Sequence, residues 1–158
     1  MFARPAVPVY TEFSATSKFD CFCFVINSQE KARIIAHAAL DLQAEDVSIM
    51  DVRELSTVTD YFVLCTAGSS RQMEAISDQV ESAVRRMGGR VAHTEGSPGR
   101  QDDAANRWLL MDCADVVVHV LDGAARDFYQ LDRLWGDAPR VMIGDAPPVV
   151  SRGRSAGS

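Results

Sequence analysis

Residues 108–135 read WLLMDCADVVVHVLDGAARDFYQLDRLW. They decide the fold, because they hold two strand patterns, a turn and a helix pattern in succession. The spans 107–113 and 115–121 are apolar strands around a tight turn near Ala114. Asp122-Gly123 then opens a helix that runs to Trp135 and stops at Gly136. With a two-residue turn, paired residues of the hairpin have an odd sum. Trp108, Leu110 and Asp112 then share a face with Asp115, Val117 and His119. Leu109, Met111, Val116, Val118 and Val120 form the other face, which is wholly apolar and must pack on helices. The first face is mixed, and a tryptophan beside polar neighbours is what the centre of a protein interface tends to carry.

Working outward, Ser28 reads as the N-cap of a helix whose Ile34, Ile35, Ala38, Ala39 and Leu42 form one apolar stripe. Short strands follow at 47–52 and 60–67. The second, DYFVLCTA, is apolar without alternation and reads as a central strand buried on both faces. Gly68-Ser69-Ser70 breaks that strand and starts the best helix of the chain. Its Met73, Ile76, Val80, Val84 and Met87 recur at helical spacing, and Gly88-Gly89 stops it. Residues 90–93 form a weak strand, and 95–106 a polar loop. The order is αββαβββα, a single α/β domain with a mixed β-sheet flanked by helices.

The domain is assigned to 28–143, with 1–27 an extension, disordered or outside the functional protein, and 144–158 a disordered tail rich in Pro, Gly, Ser and Arg. Residues 1–27 lack the uninterrupted apolar centre of a secretory signal. No apolar run reaches the roughly 18 residues that a membrane-spanning helix needs. The formal net charge of the 158 residues is −6. The extension is neutral and the tail +1, so 28–143 carries −7. Such an acidic domain lacks the field that attracts a phosphate backbone, which argues against a nucleic-acid partner. The four cysteines, Cys21, Cys23, Cys65 and Cys113, fit no zinc or redox spacing. Cys65 and Cys113 fall inside strands and read as buried, reduced thiols.

Gly68-Ser69-Ser70 has the placement of a phosphate-holding turn, since free N–H groups of a first helical turn would point at an anion. A nucleotidyltransferase would also need paired carboxylates on a neighbouring strand to hold magnesium, and the strand RVAH offers none. The bland reading, a capped helix, is therefore preferred. His37 and His93 have no nucleophile or carboxylate at a suggestive spacing. His119 shares a face with Asp112, but no serine, cysteine or metal partner completes a relay. In the last helix Phe128, Leu131 and Trp135 lie three and four apart with Leu134 beside them. Tyr129 lies off that stripe, so the aromatic that faces outward stays open. Arg126, Asp127, Asp132 and Arg133 read as a solvated face.

Taken together, DYFVLCTAGSSRQ, RWLLMDCADVVVHVL and RDFYQLDRLWGDAP strongly resemble the ribosomal silencing factor family, also called the Iojap family. The resemblance covers about residues 30–142. It implies a nucleotidyltransferase-like fold without the catalytic carboxylates, no enzymatic activity and no cofactor or metal. It further implies a cytoplasmic repressor, often a homodimer, that binds ribosomal protein fourteen of the large ribosomal subunit. Joining of the small subunit would be blocked sterically and translation would fall when nutrients are short. Carried over by position, the partner-binding residues are Trp108, Leu109, Asp112, His119, Phe128, Tyr129, Leu131 and Trp135. Tyr61, Ser70 and Arg71 match motif positions that shape the fold. The alternatives are a divergent nucleotide-binding protein using Gly68 and Ser69, and a large-subunit assembly adaptor.

Overall fold

A computed structural model describes residues 26–96 and 107–145. The readings for most of the extension, the loop and the tail, and Cys21 and Cys23, lie outside the described residues. The elements are α1 (Ser28–Asp41), β1 (Glu45–Asp51), β2 (Tyr61–Thr66), α2 (Ser70–Arg86), β3 (His93–Glu95), β4 (Trp108–Asp112), β5 (Val116–Leu121), α3 (Gly123–Tyr129), α4 (Leu131–Leu134) and β6 (Arg140–Val141). Six strands form one sheet in the order β3-β4-β5-β2-β1-β6. Among the described strands β2 and β5 run parallel and every other neighbouring pair is antiparallel. The expected mixed-sheet α/β class is therefore the observed one.

One sheet face carries α1 and α2. The stripe on α2 buries Met73, Ile76, Val80 and Val84 against Val63, Cys65, Met111, Val118 and their neighbours. Each such fully buried aliphatic side chain contributes about 1.5–3 kcal/mol over its exposed state, which is why this helix docks here. The N-cap Ser69 accepts from the Gln72 N–H at 3.1 Å, and Gln72 Oε1 accepts from the Gly68 N–H at 2.7 Å. Its amide donates to the carbonyls of Leu42 and Gln43 at 2.9 and 3.0 Å, fastening α2 to the end of α1. For α1 the cap is Asn27 rather than Ser28, its Oδ1 accepting from the Glu30 N–H at 2.8 Å.

The opposite face carries a smaller cluster of Met50, Val52, Leu64, Leu121, Ala125, Leu131 and Ala138, with Phe62, Trp108 and Trp135 packed against it. Here the expected single helix is two. Gln130 takes a left-handed conformation (φ 47°, ψ 47°) and separates α3 from α4. Arg126 bridges the break. Its Nε and Nη2 donate to Asp132 at 2.7 and 3.0 Å, and its Nη1 to Thr66 Oγ1 at 3.3 Å. Arg126 and Asp132 thus do not belong to a solvated face: the Arg126 side chain is only 11% exposed. Burial alone would raise the Asp132 carboxyl, but the hydrogen bonds and charges of Arg126 and Arg140 hold it below its usual range.

Two further strand readings need correction. The weak strand lies at His93–Glu95, three residues later than 90–93, where its partner Leu110–Asp112 is. A sixth strand follows Pro139, with Val141 opposite Ile49 and Arg140 opposite Met50. The order is accordingly αββαβββααβ.

Candidate binding face

The hairpin has the register expected for it. Trp108 pairs with Leu121, Leu110 with His119 and Asp112 with Val117, and the Cys113 N–H closes the turn on the Val116 carbonyl at 2.9 Å. Ala114 takes the left-handed conformation that the turn requires, φ 72°. Lys31 reaches across from α1 and donates to the Cys113 carbonyl at 2.5 Å and to Asp115 at 2.6 Å. Leu109 and Met111 point into the α1/α2 core, while Trp108, Leu110, Val117 and His119 lie on the other face. Strand β2 adds Phe62 beside them, since Phe62 is opposite Val117 and Leu64 opposite His119.

On this face six rings form an unbroken chain. Phe128 meets Tyr129 edge-on at 5.0 Å between centroids, Tyr129 meets Trp108 at 4.7 Å, and Trp108 meets His119 at 5.6 Å. His119 meets Phe62 edge-on at 5.1 Å, and Phe62 meets Trp135 at 5.1 Å. Such tilted and edge-on pairs at 4.5–7 Å add about 0.5–1.5 kcal/mol each beyond area burial. Asp122 holds the chain together at its centre. Its Oδ1 caps α3 through the Ala125 N–H at 2.7 Å, and its Oδ2 accepts from the Arg107 N–H at 2.9 Å. The helix that carries Tyr129 is thereby tied to Arg107, the residue just before Trp108 at the start of β4. Gly96 presses on the same point: a Cβ there would stand 2.2 Å from the Trp108 carbonyl oxygen.

Exposure sorts the residues expected to bind a partner. Phe128 is 70% and Tyr129 40% exposed, and Trp108, Trp135 and Asp112 are half-buried. Leu134, beside the stripe, is 71% exposed. Leu131, at 7%, faces the sheet because the break at Gln130 resets the helical phase. Leu109, at 2%, lies on the opposite face, inside the main core. It supports the hairpin and has no surface to offer a partner. Half-exposed Phe62, Leu110 and Val117 extend the apolar strip toward the turn; strand parity had put Leu110 and Val117 on this face, whereas Phe62 was not singled out from sequence. Asp112, His93 and Glu95, brought together at the β3 edge, supply a polar rim.

Asp112 and His119 do not pair. Asp112 Oδ1 accepts from the Ala114 N–H at 2.9 Å and so serves the turn. His119 Nδ1 instead accepts from the indole N–H of Trp108 at 3.1 Å. Burial pushes the His119 pKa down to about 4, so the ring is neutral near pH 7. Burial likewise pushes the Cys65 thiol up to about 12 and Cys113 to about 11, so neither supplies a thiolate nucleophile at neutral pH. Among the described residues no cluster of ligand-type side chains could hold a metal ion. The amides of Gly68 and Gln72, which an anion would need, serve the caps of α2. Ser70 Oγ accepts from Arg107, Arg71 is exposed, and Tyr61 is 1% exposed with Arg53 over its ring.

These features describe an α/β domain whose mixed sheet carries a chain of aromatic rings on one face. A family model described as ribosomal silencing factor during starvation matches residues 25–157. A ribosomal silencing factor of Bacillus subtilis is 39% identical over 114 residues, 72% of this chain and 92% of that protein. The chloroplastic Iojap protein of Zea mays is 31% identical over 124 residues, 78% of this chain and 48% of that one. A crystal structure of a Chromobacterium violaceum protein aligns with a TM-score of 0.62 at 26% identity, covering 82% of this chain and 98% of that one. The chain belongs to the ribosomal silencing factor family, non-enzymatic regulators of translation that associate with the ribosome. No helix among the described residues is long and apolar enough to cross a membrane.

Proposed function

We propose that this chain represses translation in the cytoplasm by docking its Trp108 face on ribosomal protein fourteen of the large subunit. In that position it excludes the small subunit sterically. The observation that carries this reading is the aromatic chain itself. Trp108, Tyr129 and Phe128 are linked ring to ring and partly or largely exposed, half-buried Phe62 joins them through the buried His119, and polar residues rim the face. Buried aromatic anchors inside a polar rim carry most of the energy in typical protein interfaces. The −7 charge of 28–143 suits a basic ribosomal protein and favours fast association. The homodimer implied by the resemblance belongs to the same proposal, and sedimentation velocity of the full chain reads it.

The test is sedimentation through a sucrose gradient. The wild-type chain is expected with free large subunits and absent from translating ribosomes. Trp108→Ala is expected to lose that association while its circular dichroism stays that of the folded domain. A folded Trp108→Ala chain that co-sediments as the wild type does would remove the Trp108 face from the interface.

A further inference from the structure

His119 was expected to contact the partner, yet it is 7% exposed, which leaves it little surface to contribute. Its geometry describes another task. The ring lies between Trp108 and Phe62, at 5.6 and 5.1 Å, and spans the three adjacent strands β4, β5 and β2. Its Nδ1 receives the Trp108 indole hydrogen at 3.1 Å, which puts the hydrogen of the neutral ring on Nε2. Without that acceptor the indole would keep its contact with Tyr129 at 4.7 Å but lose the hydrogen bond that orients its plane.

We propose that His119 is a positioning residue, which through Nδ1 fixes the indole of Trp108 and so presets the shape of the docking strip before a partner arrives. This rests on the reading of the Trp108 face as the docking surface. The benefit is preorganisation. A large side chain already held in its bound rotamer does not lose that freedom on association. Neutrality of the ring is part of the device, because a proton on Nδ1 would remove the acceptor.

Two substitutions separate the acceptor from the ring. His119→Phe keeps an aromatic ring against Phe62 and removes the acceptor; His119→Asn keeps an acceptor near the Nδ1 position and removes the ring. In the free full-length protein, the indole N–H resonance of Trp108 is assigned by comparison with Trp135→Phe. It is expected to be protected from solvent exchange in the wild type and in His119→Asn, and unprotected in His119→Phe. Large-subunit affinity is expected to fall roughly three- to tenfold in His119→Phe, the worth of one neutral hydrogen bond, with recovery in His119→Asn. An indole equally protected in His119→Phe overturns the proposal, whatever the binding result. So does wild-type affinity in His119→Phe when Trp108→Ala has lost binding, and in that case the docking reading stands. If Trp108→Ala also binds normally, the docking reading falls, and the exchange measurement alone decides the role of His119. Should His119→Phe not fold, loss of indole protection in His119→Asn overturns the proposal and its retention supports it.

Discussion

His119 ties the stability of the protein to pH in a direction set by its burial. In the unfolded chain it takes a proton near the ordinary imidazole value of 6.5, whereas in the folded protein burial lowers that to about 4. Its folded neighbours Phe62 and Trp108 carry no charge, and burial is the cause of the shift. Between these two values the unfolded state binds the extra proton, so stability is complete above 6.5 and falls as the pH drops toward 4. Linkage gives a loss of about 2 kcal/mol between pH 7.5 and 5. Urea midpoints at the two pH values should show that loss in the wild type and a much smaller one in His119→Asn. An equal loss in both would assign the slope to other groups. Strand parity was enough to place His119 and Trp108 on one face, since a two-residue turn fixes which residues of the hairpin stand opposite each other. Phe62 was not legible in the same way. Every residue from Tyr61 to Cys65 is apolar, so period two leaves no trace and only the pairing with Val117 assigns its face.

At the scale of the element, the break at Gln130 decides which side chains the last helical segment presents. In a continuous helix, residues six apart such as Arg126 and Asp132 point in different directions, since neighbours recur at three and four. That spacing is why the pair read as solvated and why the break was missed. The left-handed residue folds the chain back, and the two charges meet as a two-pronged ion pair with Thr66 behind them. Leu131 turns inward while Phe128 and Leu134 turn out, at 70% and 71% exposure. Arg126→Met keeps most of the buried volume and leaves Asp132 to Arg140 alone, at 3.3 Å. It is expected to cost about 1–3 kcal/mol, below the range for breaking a fully buried pair because Asp132 is 32% exposed. It should also weaken large-subunit association, since the helix seating Tyr129 loosens. Denaturant unfolding together with gradient sedimentation checks both, and unchanged stability would mean the clamp is idle. Strand β6 escaped notice for a related reason: two residues carry no period, and only β1 beside them makes a strand of Arg140–Val141.

Across the whole molecule the sheet acts as a partition. Its α1/α2 side was legible in the sequence because long amphipathic stripes announce which residues are buried, and Met73, Ile76, Val80 and Val84 are buried as read. Its other side was not, because there the partners are brought together by sheet pairing and by one backbone reversal. The division leaves most of the large buried side chains on the α1/α2 side, with a seven-residue cluster under α3 and α4. The smaller layer should therefore open at lower denaturant than the larger one, as sub-global units do. Both tryptophans of the chain, Trp108 and Trp135, pack in that smaller layer, whereas α1 and α2, the longest helices described, lie in the other. Indole emission and far-ultraviolet ellipticity therefore watch different halves of one protein. The fluorescence midpoint in urea is expected below the ellipticity midpoint, and coincident curves would show a single cooperative unit. The placement of two side chains thus makes the unlabelled protein its own optical gauge, one that reads the aromatic strip and is nearly blind to the layer behind it.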